Sequence, residues 1–309
     1  MSEIATSDAA LPVGVIGLGD IAQKAYLPVL TTLPGLDLRL MTRDRAKLDR
    51  LGDAHRIDPA HRFTDLGELI GSGIRAAFVH AATDQHVPIV EQLLSAGVDV
   101  YVDKPLDHTL DGARRLVTLA DRTGRSLAVG FNRRHAPGYA QAKERPRDLI
   151  VLQKNREGLP EAARTLVYDD FIHVVDTLRF LAPGEIEHVD VRSRVRDGLV
   201  EHVVLTLAGD GFTALGIMNR LSGSTEEILE VSGADSKRAV HNLAEVIDHR
   251  GQPTVRRRGD WVPVARQRGI EQVVLAFLDA VRAGKTLDAH DALRTHELCE
   301  RIVERIEST

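Results

Sequence analysis

The sequence predicts an α/β protein in two parts. Residues 1–130 form a doubly wound parallel sheet, and residues 131–309 an α+β part with a predominantly antiparallel open sheet, the C-terminal helix packing back on the first part. Three observations carry this. Up to Gly130, short apolar runs alternate with helix-like segments, the strand–helix–strand repeat of a parallel sheet covered on both faces. From Ile186 onward, runs that alternate apolar with polar residues are joined by short Gly-Asp-Gly or Gly-Ser turns, as in antiparallel strands with one buried face. The 309 residues, 43% hydrophobic and 28% charged, are enough to bury two cores.

The first run, Val13 to Ile16, ends in Gly17-Leu18-Gly19-Asp20-Ile21-Ala22, and Gln23 to Leu30 continue as a helix. Gly17 permits the tight turn out of a strand, Gly19 has no side chain to keep a pyrophosphate off the backbone, and small Ala22 lets the helix pack close. The unpaired N–H groups and positive end of that helix then face phosphates. Gly17, Gly19, Asp20, Ile21 and Ala22 are therefore candidate dinucleotide contacts. Leu36 to Met41 is the second strand and Arg45 to Gly52 a helix. Between them, Thr42-Arg43-Asp44 stands where an NAD site usually sets an acid on the adenosine ribose. Thr42 and Arg43 suit a 2′-phosphate, so NADP is expected ahead of NAD, with Asp44 on the ribose as the alternative.

Ala76 to His80 is the next strand. Ala82, Thr83 and His86 after it are expected at the cofactor, and His86 also opens a helix that runs to Ala96 and stops at Gly97. Val98 to Val102 leads into Asp103-Lys104-Pro105. Lys104 thus sits at a strand's carboxyl end, where ligands of such sheets lie, and Pro105 fixes the backbone behind it. The helix from Leu110 to Arg122 and the strand from Leu127 to Gly130 complete this part. Asn132 is then expected at the cofactor, and Arg133 and Arg134 either on an anionic substrate or on nearby acids.

In the second part, Lys143 to Asp148 reads as an exposed loop and Leu149 to Gln153 as the first strand. If Tyr168 to Leu181 is helical, Asp169, His173 and Asp176 fall at i, i+4 and i+7 on one narrow face of an otherwise largely apolar helix. Such a stripe needs partners when buried, and a cofactor with a polyhydroxy substrate would supply them. The alternative is a core histidine satisfied by its aspartates. Val189 to Val195, Val200 to Leu207, Phe212 to Leu221, Glu227 to Ser232 and Ala239 to Asp248 read as strands, Arg256 to Arg258 as an exposed loop, and Gln267 to Ala283 and His290 to Glu307 as closing helices. Cys299, the only cysteine, falls among apolar helix positions and reads as packing.

Taken in order, GVIGLGDIA at Gly14 to Ala22, VDKP at Val102 to Pro105 and the D-x-x-x-H-x-x-D element at Asp169 to Asp176 resemble the Gfo/Idh/MocA oxidoreductases over nearly the whole chain. That family includes glucose–fructose oxidoreductase and inositol dehydrogenase. GFNRR at Gly130 to Arg134 and YDDFIHVVD at Tyr168 to Asp176 are similar to a branch labelled virulence-factor-like oxidoreductases. The resemblance implies catalytic roles for Lys104, His173 and Asp169, with Asp170 an extra acid at the substrate and Asp103 standing where the family usually has glutamate beside the cofactor. It also implies a homo-oligomer, dimer or tetramer, formed through the open sheet. The family often has glycine two places before the histidine and a glycine-rich segment upstream. Phe171 takes the first position and no such segment precedes it, which leaves the sugar unspecified.

Such a site transfers a hydride between NAD(P) and a carbinol or carbonyl carbon of a sugar, polyol or related small molecule. A histidine titrates near neutral pH and can take the alcohol proton, and a lysine cation stabilises the developing alkoxide. The alternatives are a non-catalytic NAD(P)-binding sensor and a reductase of an imine or unsaturated bond, which two arginines would suit if its substrate is anionic. A net charge of −5 with both signs interspersed points away from nucleic acid and anionic membrane. One cysteine excludes an intrachain disulfide framework and a thiolate metal site. His173 with Asp169 and Asp176 is the one set with metal-binding character, and no metal is expected there. MSEIATSDAA has neither a basic start nor an apolar core, so no signal peptide or anchor is expected and the first ten residues are expected to be loose. No stretch approaches the roughly 20 apolar residues of a spanning helix. A cytoplasmic protein is expected.

Overall fold

A computed structural model describes residues 10–308, and the N-terminal residues expected to be loose lie, up to residue 9, outside the described residues. The described residues divide into two compact units: 10–107, 114–130 and 274–289 make the first, and 108–113, 131–273 and 290–308 the second.

The first unit holds β1 (Leu11–Ile16), β2 (Leu36–Met41), β3 (Arg62–Phe63), β4 (Ala76–Val79), β5 (Asp99–Val102) and β6 (Leu127–Val129). They form one parallel sheet in the order β3-β2-β1-β4-β5-β6. Val13, Val15 and every residue of β4 are fully buried, as strands covered on both faces must be. The order reverses between β1 and β4, and the crevice outside the carboxyl ends of those two strands is where such sheets bind ligands. The helices start where short acids cap them: Asp44 accepts from Lys47 N (3.0 Å) ahead of Arg45–Ala54, and Asp65 from Glu68 N (3.0 Å) ahead of Leu66–Gly71. β3 and the Leu66–Gly71 helix have no counterpart in the sequence reading, because β3 is two residues long and the helix six. Segment 274–289 is part of this unit's core. Phe277 stands edge-on to Phe78 at 5.3 Å, and Leu287 O accepts from Leu127 N (3.0 Å).

The second unit's sheet contains β7 (Leu149–Asn155), β8 (His188–Arg196), β9 (Leu199–Gly209), β10 (Phe212–Asn219), β11 (Glu226–Gly233), β12 (Ser236–His241), β13 (Glu245–Arg250) and β14 (Gln252–Arg257). The order is β14-β13-β12-β11-β7-β10-β9-β8, antiparallel except where β7 pairs with β10. The single strand expected over Ala239–Asp248 is corrected to a hairpin of β12 and β13. Asn242 and Leu243 both take positive φ (51° and 60°) and turn the chain back on itself. The loop expected at Arg256–Arg258 is corrected at its first two residues, which lie in the exposed strand β14; charged side chains are usual on such an edge because they discourage further pairing. The helix expected from Gln267 starts only at Ile270. Gly269 (φ +80°) breaks it from the short Val264–Gln267 turn, and a Cβ there would collide with Asn132 O.

One face of this sheet packs on the Ile172–Leu181 helix. In β10, Phe212, Ala214, Gly216 and Met218 are buried and alternate with half-exposed residues. A Cβ on Gly216 would meet Val174 Cγ1 at 2.7 Å and Leu178 Cδ1 at 2.9 Å, so the glycine sets how closely helix and sheet approach.

Candidate active site

In the first unit, Gly17 leaves β1 with φ +82°, and a Cβ on it would stand 2.5 Å from Ala81 N, so the turns after β1 and β4 touch there. Gly19 is different: nothing lies within 4 Å of the place a Cβ would take. The helix then begins at Asp20 and Ile21, both exposed, with Ala22 fully buried against the sheet. Gln23 Nε2 pins the turn by donating to Leu18 O (2.9 Å). Strand, open glycine and exposed helix start together fit a dinucleotide's pyrophosphate.

Thr42 and Arg43 follow β2. Thr42 N donates to Phe63 O (3.2 Å), while the exposed Arg43 guanidinium meets no acid among the described residues. Asp44, the alternative ribose ligand, is engaged as the helix cap. After β4, Ala82 is exposed and Thr83 half-buried. His86 is 1% exposed, with Nδ1 2.8 Å from Pro105 O and Nε2 3.0 Å from Ala81 O. Burial lowers its pKa, and the ring braces the segments after β4 and β5 with no surface left for a ligand.

After β5, Asp103 lies 2.8 Å from His80 Nδ1, and Lys104 is half-buried. Beneath them Tyr26 and Tyr101 share a hydrogen bond (2.7 Å), and burial, then the charge of Asp103, pushes both phenols well above their ordinary range. The remaining ring nitrogen of His80, Nε2, is buried with no hydrogen-bond partner, which makes this polar cluster incompletely satisfied.

In the second unit, the expected helix is present but not uniform. It runs as Ala163–Leu166, a wider-wound Val167–Phe171 stretch with i→i+5 bonding, and Ile172–Leu181. Asp169 and His173 remain at or near the surface. Asp169 accepts from His108 Nε2 (2.8 Å), a residue the sequence reading passed over although it lies four places after Lys104. Asp176 is turned inward, held by Nε and Nη2 of Arg134 and by Thr295 Oγ1 (3.1 Å), and burial raises its pKa against the pull of Arg134. Asp170, expected as an extra acid at the substrate, is engaged as well. Lys154, Arg156 (3.0 Å) and Arg220 (2.7 Å) surround it, and although burial alone would raise its pKa, those cations hold the carboxyl well below the usual range. Among the described residues no group of three His, Cys, Asp or Glu gathers to hold a metal.

Arg133 and Arg134, expected either on an anionic substrate or on nearby acids, are both engaged by acids. Arg133 grips buried Glu227 through two bonds (2.8 and 2.6 Å), with Tyr139 OH on the same carboxylate (3.0 Å). Burial opposes ionisation of Glu227, yet Arg133 holds its pKa down to about 2. Arg134 joins Asp176 to Asp291. The Asn132 side chain donates to Arg268 O (2.7 Å). Cys299 is fully buried.

Comparison with known proteins adds three findings. The model of an oxidoreductase family with an NAD-binding Rossmann fold matches residues 11–131, and that of a YceM-like C-terminal domain matches residues 137–250. The chain is similar to "Putative oxidoreductase YceM" of Salmonella typhimurium, 34% identical over 88% of this chain and 90% of that one, and to "Myo-inositol dehydrogenase Hyg17" of Streptomyces leeuwenhoekii, 31% identical over 94% and 97%. Its fold matches the crystal structure of a Gfo/Idh/MocA family oxidoreductase from Vibrio cholerae with a TM-score of 0.90 and 31% identity, covering 97% of this chain and 99% of that one.

Proposed function

The chain belongs to the Gfo/Idh/MocA family of NAD-binding oxidoreductases, and from that premise we propose that it interconverts a carbinol and a carbonyl on a sugar, polyol or related small molecule, with Lys104, His173 and Asp169 as its reacting side chains. Bound NAD(P) supplies the hydride donor or acceptor. Gly17, Gly19 and the helix start at Asp20 to Ala22 hold its pyrophosphate, and Thr42 and Arg43 favour the 2′-phosphate of NADP. Arg43 supports this preference because its charge is unspent among the described residues while the rival Asp44 is capping a helix.

The observation that carries the catalytic assignment is the surfacing of Asp169 and His173 one turn apart on a helical segment whose other residues from Val167 to Leu178, save Asp170, are buried. His173 takes the alcohol proton, Asp169 orients it or bonds a neighbouring substrate hydroxyl, and Lys104 as a cation stabilises the alkoxide. His108 fixes Asp169. The myo-inositol dehydrogenase relative supports a polyol-like substrate.

The open sheet supports a homo-oligomer. Val151, Leu215, Ile217, Val204 and Ile228 are register neighbours on its half-exposed face, an apolar surface suited to a second copy. No described helix is long and apolar enough to cross a membrane. A single buried cysteine accords with a reducing cytoplasm.

The test follows the reduced-nicotinamide absorbance of purified protein offered NADP and NAD against sugars, polyols and their acids, with Lys104→Ala alongside. Substrate-dependent reduction that falls by roughly 100-fold or more in Lys104→Ala, with cofactor affinity retained, is expected. Tight cofactor binding without turnover of any compound would favour the sensor reading instead.

A further inference from the structure

Within the second unit a cavity of about 250 Å³ is lined by the cations Arg133, Lys154, Arg156 and Arg268, by the acids Glu226 and Glu227, and by the neutral residues Thr225, Asn242 and Leu243. Four cations from three separate segments converge there: Arg133 from the turn after β6, Lys154 and Arg156 from the end of β7, and Arg268 from the bend before the Ile270–Arg282 helix. The cations outnumber the two lining acids, and of the acids Glu227 and nearby Asp170 are paired with cations while Glu226, among the described residues, has only a neutral amide. Glu227 is held by Arg133 and Tyr139, Glu226 accepts from Asn155 (3.1 Å), and Asp170 serves Lys154, Arg156 and Arg220 at once.

Arg268 is left over. Among the described residues its guanidinium has no acid and no hydrogen-bond acceptor. Partial burial, then the charges of Arg133 and Arg156, lowers its pKa. Burial, with the charges of Arg133 and Arg156, likewise brings Lys154 down to about 8 despite Asp170. Cations this crowded repel one another, and an anion among them would relieve that repulsion. Neutral donors are also available: Asn242 spends its carbonyl oxygen on Glu227 N (2.9 Å), which leaves its NH₂ group free to donate.

We propose that this cavity binds the phosphate or carboxylate group of an anionic substrate, with Arg268 as the principal contact. This rests on the reading of the second unit as the substrate-binding part. It puts the anion on Arg268 rather than on Arg133 or Arg134, which are already paired with acids. A guanidinium offers two parallel N–H donors to either anion, and such charge-assisted bonds are stronger than those to the neutral hydroxyls of a polyol.

The experiment uses the full chain saturated with NADPH, so that the cofactor's own phosphate sites are filled. Inorganic phosphate and acetate are titrated calorimetrically against a chloride background into the wild type, Arg268→Met and Arg268→Lys. Because the Arg268 side chain supports no other group, its removal leaves nothing buried and unpaired. Heat of binding in the wild type, weakened roughly 10- to 100-fold in Arg268→Met and partly restored in Arg268→Lys, is expected, and the stronger of the two anions names the substrate's charged group. In the turnover arm, polyols are compared with their phosphates and acids. The ratio of kcat/KM for the anionic over the neutral form should fall at least tenfold in Arg268→Met. Anion binding with no turnover of any compound would uphold the cavity and sink the dehydrogenase reading. Turnover of neutral polyols with no anion binding, or anion binding indifferent to Arg268, would overturn the proposal while leaving the dehydrogenase intact.

Discussion

Gly17 and Gly19 stand two residues apart in one turn, yet a methyl group would meet backbone at the first and open space at the second. Gly17→Ala should therefore destabilise the protein by more than about 1 kcal/mol, since positive φ and the contact with Ala81 both oppose it. The proposed pyrophosphate site predicts that Gly19→Ala leaves the unfolding temperature nearly unchanged and weakens binding of the nicotinamide cofactor, because the methyl would enter the open space beside the turn. Thermal unfolding beside cofactor titration separates the two. Glu227 gives a pH-dependent counterpart. Its folded pKa of about 2 lies below its ordinary 4.5, so its stabilising contribution is complete above pH 4.5 and is lost as pH falls toward 2. Glu227→Gln should lose about 3 kcal/mol at pH 7, since it also strands buried Arg133, and should show a shallower loss of stability between those pH values in urea unfolding. The glycines were legible in the sequence because their chemistry is local. The partners of Arg133, Arg134 and Asp169 were not, because each pairing spans at least 42 residues and depends on which side chains the fold brings together.

The Asp169-to-Asp176 helix was legible from its apolar period, but the period presupposes uniform winding. The Val167–Phe171 stretch is wound more widely. Of the expected stripe, Asp176 turns inward to Arg134 and Thr295 while Asp169 and His173 remain at or near the surface, and Asp170 beside them goes to a cluster of cations. Where this helix lies on the sheet is set by a missing side chain, Gly216, and Gly216→Val should cost about 1–3 kcal/mol by overpacking against Val174 and Leu178. Chemical unfolding measures that cost. A parallel fall in kcat would show that displacing the helix disturbs His173. The β12–β13 hairpin escaped the sequence reading for a comparable reason. Its turn uses Asn242 and Leu243 rather than glycine, and a leucine with positive φ is imposed by its surroundings.

For the molecule as a whole, the sheet alternation that places β10 also leaves an apolar face half-open. If that face joins two copies, Ile217→Asp should shift the mass measured by light scattering toward the monomer without changing the fold seen by circular dichroism. The division into a parallel and a mostly antiparallel sheet was legible from strand spacing and turn chemistry. The repeated passage of the chain between units was not, because hydrophobic periodicity carries no information about which core a helix joins. The place of residues 274–289 in the first unit has a consequence for synthesis. A chain emerging from the ribosome presents β1 to β6 long before Phe277 and Leu287, the residues that pack on Phe78 and bond to Leu127. The nucleotide-binding unit therefore waits, incomplete, until residues 274–289 have been made, and a nascent chain released before then exposes an unfinished apolar core to whatever chaperone or protease reaches it first.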